Sequence, residues 1–349
     1  MKNSKKLLRI TFLLSLILFS CESDIEEGLL ETGITSVNEL EATLAAEQLG
    51  FEGPEVSKVL FGTKIKVVSL GEGNYALGDM ILSEDDFDHG DKQNKGVWYK
   101  DKKWPDNIIR YRHSSKMPKK TQEKIKSAAK HITDKTNLTI RKWDKTKDKD
   151  IGYVWISYKS GCSAQVGYQA KKFPGQKMNI STSCSLGSTI HEFLHAAGVL
   201  HEQAHWNRDD YITVNWDNII KNRQHNFKKY KKEELTTHSD AMDLNSIMMY
   251  GSTYFRTDKA KKEGKWSIET IDGKEIIPNR SYMTANDIDV INKVYKKPSF
   301  CSASKWSSSK TYSKGEIVSY KGYKYKSRAF IYAVAPDKSW WWEQIEKCN

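Results

Sequence analysis

The chain has 349 residues and a net charge of +12, from 56 Lys and Arg against 44 Asp and Glu. That length exceeds one ordinary domain of about 100 to 200 residues and is ample for burying a core, so two or three units are expected. The basic residues are dispersed among many acids with no nucleic-acid-binding motif, which argues against a nucleic-acid partner, and beyond the N-terminus no segment resembles a membrane span.

Lys2, Lys5, Lys6 and Arg9 precede an apolar run over residues 12–19 that is too short to span a membrane as a helix. Residues 1–20 therefore read as a secretory signal, which predicts export. Leu18-Phe19-Ser20-Cys21 resembles a bacterial lipobox, in which signal removal leaves Cys21 as a lipidated N-terminus. Glu22 and Asp24 would suit a surface-exported lipoprotein, and such an anchor would be the chain's membrane link. Two other readings of Cys21 stay open: a thiolate that blocks the metal of a latent enzyme, and an inert signal-peptide cysteine.

Charge then splits the chain. Residues 22–90 hold 16 acids and 3 Lys, a net of −13, whereas residues 91–349 carry +21. Residues 21–91 thus read as an acidic pro-segment held by unlike charge to a basic enzyme. The polar stretch 84–97 is the expected site of cleavage by an activating protease.

In the unit that follows, 92–299, residues 107–112 and 152–158 read as strands and residues 119–136 as an amphipathic helix. Residues 178–181 read as a short edge strand, and residues 285–295 as a closing helix. Between them lies His191-Glu192-Phe193-Leu194-His195-Ala196-Ala197-Gly198-Val199-Leu200-His201. On a helix His191 and His195 share one face and can reach one metal ion, with Glu192 beside them. Gly198 can end the helix in the left-handed conformation, and the reversed chain can bring His201 back as a third ligand. Three protein ligands leave zinc an open position, where bound water reaches a pKa of about 7 and Glu192 can act as general base. One zinc per chain and a peptide-hydrolysing activity are expected.

Downstream, Ser246-Ile247-Met248-Met249-Tyr250-Gly251 fits a Met-turn, with Met248 as the hydrophobic floor beneath the three histidines. Together with Glu202-Gln203 and Asn207-Arg208-Asp209-Asp210-Tyr211-Ile212, these motifs resemble the astacin family of metzincin zinc proteases. Departures stand at His205 and Trp206, where the family usually has Arg and Pro, and at Met249, where it usually has His. His205 is left out of the ligand set, because the chain there should be leaving the site.

The resemblance implies an α+β catalytic domain with a mixed sheet, a zinc-site helix and a cleft beneath the sheet edge. It further implies that Tyr250 is a displaceable zinc ligand that stabilises the oxyanion, and that Glu202 meets the mature N-terminus. Tyr75-Ala76-Leu77-Gly78-Asp79 resembles the family's F-x-G-D latency pattern, with Asp79 on the zinc of the zymogen. Cys162 and Cys184 would pair, as in astacins. The family's second disulfide would need a Cys near Asn137, absent here, which favours Cys301 with Cys348; other connectivities stay open. Arg280 stands where several astacins line the pocket after the scissile bond with a basic residue, and could favour Asp or Glu there.

Residues 300–349 are short and aromatic. Trp306, Tyr312, Gly315, Val318, Tyr320, Gly322, Tyr323, Tyr325 and the run Trp340-Trp341-Trp342 resemble a small chitin-binding carbohydrate module, expected to be all-β. About fifty residues cannot bury so many rings, so some should face water and could stack on chitin or another glycan. Trp306, Tyr323 and the Trp triplet are the candidates; in an extended run Trp340 and Trp342 share one face and Trp341 the other. The alternative function is a non-enzymatic glycan-binding protein with a retired protease domain. Otherwise the chain acts on protein or peptide, secreted or at a bacterial surface.

Overall fold

The computed structural model of the chain describes residues 37–48, 50–60, 63–87, 102–169, 175–230, 241–296 and 303–348. The signal segment, Cys21, Cys301 and most of the expected activation stretch lie outside the described residues. Two compact units are present, residues 1–295 and 296–349. No helix among the described residues is long and apolar enough to cross a membrane.

The first unit begins with helix α1 (Val37–Glu47), then strands β1 (Glu55–Leu60), β2 (Thr63–Gly71), β3 (Asn74–Leu77) and β4 (Met80–Ser83). There follow β5 (Ile108–His113), helix α2 (Lys119–Lys135), β6 (Thr139–Lys142), β7 (Val154–Ser157), β8 (Cys162–Gln165) and β9 (Gln176–Ile180). Helix α3 (Leu186–Ala196), the ribbon β10 (Ile212–Val214) with β11 (Ile268–Thr270), a short helix over Asp258–Lys262, and helix α4 (Ala285–Val294) follow.

The sheet is mixed, as the sequence implied, with the order β1-β2-β3-β4-β8-β9-β7-β5-β6. Strands β1 to β4 are successive antiparallel hairpins. Strand β5 pairs in parallel with β6 and β7, β7 in parallel with β9, and β9 antiparallel with β8. The two groups meet where β4 runs parallel to β8, Met80 opposite Ala164 and Ile81 opposite Gln165.

One expectation is corrected here. Residues 178–181 do not form an edge strand: 178–180 are the end of β9, which is flanked by β8 and β7, and Ser181 lies just past it. The buried-exposed alternation of β9, with Lys177 outward, does suggest a one-sided strand. Side-chain faces, however, say nothing about which backbone edges are paired. Strand β8 lies between β9 and β4, so β4 covers the edge that β8 would otherwise present.

Helix α2 buries Thr121, Ile125, Ala128, Ala129 and Ile132, a stripe at three- and four-residue spacing. Helix α3 is buried from Gly187 to Ala196, and its apolar residues Ile190, Phe193 and Leu194 sit in the main core with Tyr111, Ile125, Met178 and Met248. Ser185 caps it, its hydroxyl accepting from Ser188 N at 3.0 Å. Cys162 and Cys184 are disulfide-bonded, tying β8 to the entrance of α3. On the far side of the sheet, buried Asp148 accepts from Arg110 Nε at 2.7 Å and from Arg141 Nη1 and Nη2 at 2.6 and 2.8 Å.

The second unit contains strands β12 (Ser304–Lys305), β13 (Thr311–Tyr312), β14 (Ile317–Tyr320), β15 (Tyr323–Ser327), β16 (Ile331–Tyr332) and β17 (Trp342–Lys347). Four of them form a sheet in the order β12-β14-β15-β17, and β13 and β16 form a ribbon. Tyr312, Val318, Tyr325, Ile331 and Trp342 make its core. Cys348 is disulfide-bonded.

Candidate metal centre

Helix α3 sets His191 and His195 on one face, and the turn beyond it delivers His201. Gly198 has φ +101°, the left-handed region that ends helices, and its N–H donates to His195 O at 2.8 Å. The reversed chain then offers the Val199 carbonyl to His195, whose Nδ1 donates to it at 2.7 Å. His191 Nδ1 donates likewise to Ile247 O at 2.8 Å. Carbonyls only accept, so both rings carry their proton on Nδ1 and point an Nε2 lone pair inward.

The inward atoms converge. His195 Nε2 and His201 Nε2 are 3.1 Å apart. Asp79 brings Oδ1 to 2.9 Å from His201 Nε2 and 3.7 Å from His195 Nε2, and Oδ2 to 3.4 Å from His191 Nε2. One ligand atom from each of the four lies within 4.8 Å of the others, and all four residues are buried. Burial lowers His195 to about 3 and also lowers His201, so neutral imidazoles face the carboxylate. Buried acceptors gathered without donors among them, with the His191 Nε2 and Asp79 Oδ1 atoms lacking hydrogen-bond partners, fit a cation bound by three imidazoles and a carboxylate.

Glu192 is fully buried beside this cluster, with no hydrogen-bond partner for either carboxylate oxygen. Its burial, with the Asp79 charge nearby, raises it well above the ordinary Glu value. Met248 is buried in the same core as Phe193 and Leu194. Its turn is clamped by α4: Asp287, which completes a capping box with Thr284, accepts from Ser246 Oγ at 2.6 Å and Ile247 N at 3.1 Å. Tyr250 lies with its ring centroid 4.5 Å from that of His201. Burial, then the Asp79 charge, raises its hydroxyl well above the ordinary value.

Asp79 arrives on the sheet edge. Ala164 N donates to Asp79 O at 3.2 Å and Val166 N to Ile81 O at 3.1 Å. Gly78 makes the corner before it with φ +67°, and a Cβ there would stand 2.6 Å from Tyr250 Oη. Only glycine fits both demands.

Glu202 is buried, accepts from Asp243 N at 2.8 Å, and is pushed up to about 8, chiefly by burial. His205 is buried but takes no part in the cluster. Arg280 is not at the surface: it is buried against Glu47 of α1, with Nε 2.8 and 2.9 Å from the two carboxylate oxygens. Glu47 is a residue that sequence reasoning missed. It is one of 16 acids in its segment, and nothing local distinguishes it. The charge expectation does find partners here, since Glu47–Arg280 and the 2.7 Å pair Asp86–Lys102 both cross from the acidic segment to the basic one.

In the second unit the Trp triplet splits differently from the extended-run expectation. Trp342 is core, its Nε1 donating to Val334 O at 2.9 Å and its ring packed edge-on against Tyr312. Trp340 and Trp341 lie in the turn before β17 and stack with centroids 3.9 Å apart, at 67% and 40% exposure. Alternation fails because that turn interrupts the run. Trp306 and Tyr323 are half-buried against the core.

The sequence is similar to those of known proteins. The peptidase family described as Astacin matches residues 96–296. The chain is 30% identical over 233 residues to zinc metalloproteinase nas-4 of Caenorhabditis elegans, covering 65% of this chain and 70% of that protein. It is 32% identical over 236 residues to blastula protease 10 of Paracentrotus lividus, covering 63% of this chain but only 38% of that protein. Among solved structures, the hatching-enzyme zinc protease high choriolytic enzyme 1 of Oryzias latipes matches at 28% identity and a TM-score of 0.48, covering 56% of this chain and 92% of that one. The chain belongs to the astacin family of zinc metalloendopeptidases.

Proposed function

We propose that this chain is a secreted or surface-tethered zinc endopeptidase, made latent by residues 21–91 with Asp79 on the metal site. The observation that carries this reading is the Asp79 carboxylate among His191, His195 and His201, delivered by a strand added to the β8 edge. When bound, zinc supplies Lewis acidity and lowers the pKa of a water toward about 7. His191 and His195 are held in one tautomer by Ile247 O and Val199 O, so their lone pairs are oriented in advance. Glu192, whose carboxylate oxygens have no hydrogen-bond partner, takes the proton of the attacking water and passes it to the leaving amine. Tyr250 Oη, protonated at neutral pH, donates a hydrogen bond to the developing oxyanion once Gly78 no longer stands against it.

Export through residues 1–20, Cys21 as a lipid anchor, and activation between residues 84 and 97 belong to the same reading. So do a Cys301–Cys348 staple and Glu202 as the acceptor of the new N-terminus. Substrates are proteins or peptides. The stacked, exposed pair Trp340–Trp341 supports glycan binding by the second unit, with chitin as the first ligand to try. A Trp340→Ala/Trp341→Ala chain that still sediments with chitin as the parent does would remove that role.

The decisive experiment purifies the processed form, measures bound zinc, and compares its casein hydrolysis with Glu192→Ala. Zinc should stay at one per chain in both, with hydrolysis falling by about 10²–10⁴ in the variant. Equal hydrolysis would end the mechanism. N-terminal sequencing of the same sample locates the activation cut.

A further inference from the structure

Phe227 packs edge-on against the Tyr250 ring, with centroids 5.8 Å apart, and the residue before it carries an amide that the proposed chemistry does not use. Asn226 is 5% exposed, and neither its Nδ2 nor its Oδ1 has a hydrogen-bond partner among the described residues. Leaving a buried polar group unpaired is unfavourable, and here both ends of one carboxamide are left so. Such a group in a folded chain calls for a physical reason.

The backbone that carries it is held from behind. Gln203 Nε2 donates to Asn226 O at 3.2 Å, Arg208 Nη1 to Phe227 O at 2.5 Å, and Tyr230 N to Ala204 O at 2.9 Å. These partners follow His201 in the chain, so the wall over 226–230 belongs to the catalytic part and not to the acidic segment. The acidic segment does bond to that wall, Thr63 Oγ1 donating to Lys229 O at 3.3 Å and Lys64 O accepting from Lys228 Nζ at 2.8 Å. It leaves the Asn226 amide unserved. A Cβ on Gly78 would stand 2.6 Å from Tyr250 Oη and 3.6 Å from Asn226 Oδ1, so the hydroxyl and the amide face one corner. The next residue, Asp79, rests its carbonyl on Ala164 N of β8 at 3.2 Å. A main chain at this point therefore runs between the β8 edge and a wall that bears both polar groups.

We infer that Asn226 is a substrate-binding residue, whose carboxamide hydrogen-bonds a main-chain peptide group of the bound polypeptide beside the place where Tyr250 meets the oxyanion. A primary amide offers both a donor and an acceptor, the complement of the N–H and C=O that every polypeptide carries. The contact would thus hold the chain without reading its side chains. Gly78 fills the passage yet meets neither end of the amide, so a substrate gains a bond there that the latent form lacks. The inference rests on the protease reading above.

Asn226→Leu removes both polar ends at nearly constant volume. In the full chain its melting temperature should not fall, because an unpaired buried amide gives way to an apolar group. In the processed form, zinc should stay at one per chain while kcat/KM on an extended peptide falls roughly tenfold, the loss of about one hydrogen bond. Versions of that peptide with single backbone amides exchanged for esters or N-methylated, one position at a time, read the contact directly. One position should lose rate with the parent and not with Asn226→Leu. A lower melting temperature of the full chain would show the amide already paired there, and an unchanged kcat/KM, or the same losses along the series in both enzymes, would show no contact; each overturns the inference. If Asn226→Leu does not fold, Asn226→Ala is put through the same series. A parent that cleaves nothing when processed takes down the protease reading and this one together, whereas a cleaving parent matched by the variant removes Asn226 alone.

Discussion

The two ends of the nine-stranded sheet are built on opposite plans. At one end β5, β6, β7 and β9 pair in parallel across long stretches of sequence, backed by α2 and α3. At the other, β1 to β4 form hairpins with their neighbours in sequence and touch the catalytic strands through two register pairs at β8. The buried polar anchors differ in the same way. Asp148 ends on two arginines that only hold strands together, whereas Asp79 and Glu47 end on residues of the metal site and its cleft. One end is scaffold. The other is attached by groups that reach the metal-site residues, so in the proposed zymogen its departure would uncover them.

The largest test strikes the scaffold end. Asp148→Asn should cost about 3–5 kcal/mol, because it leaves two buried or half-buried guanidinium groups short of a partner. Arg141 and Arg110, against the cost of burial, hold Asp148 below the ordinary Asp value. A depressed folded value means the stabilisation is complete above about pH 4 and fades as pH falls further. Denaturant titrations from pH 6 to 2 should show this acid-side loss in the parent and a flatter profile in Asp148→Asn. An unchanged profile would erase the distinction drawn for this end.

Tyr250→Phe should lower kcat of the processed form by about 10²–10³ while zinc content holds, since it removes one oxyanion donor. Loss of zinc with activity would recast Tyr250 as a ligand first. Asp79→Ala should raise casein cleavage by the unprocessed chain roughly tenfold or more, because the competent state is no longer held closed. No gain would mean that the hairpin end blocks the cleft by bulk alone. Smallest is Thr43→Val, which removes one buried hydrogen bond of α1 for about 1 kcal/mol. Its melting temperature should fall slightly in the unprocessed chain and not at all after processing.

Much of the metal site was legible because its grammar is local. His191 and His195 are one helical turn apart, Gly198 supplies the reversal, and Asp79 follows the glycine that its corner requires. What escaped is set by contacts that sequence does not index. Glu47 lies 233 positions from its partner Arg280, and nothing around it marks it among the acids of its segment. The central place of β9 escaped because strand order is decided by backbone pairing, while sequence displays only faces. Strand alternation puts Trp342 on the face of Trp340, yet the turn before β17 leaves Trp340 stacked on Trp341 and sends Trp342 into the core.

The covered edge at β8 has a consequence for handling. With β4 in place, Ala164 N and Val166 N donate to Asp79 O and Ile81 O. Without it, a strand only four residues long presents bare main-chain groups to solvent. Such an edge grips extended chains whatever their sequence, which suits a catalyst for polymers and endangers a concentrated stock of itself. The cystine at Cys162 ties that strand to the entrance of α3. Processed material should therefore keep best dilute, or with a short extended peptide laid along β8.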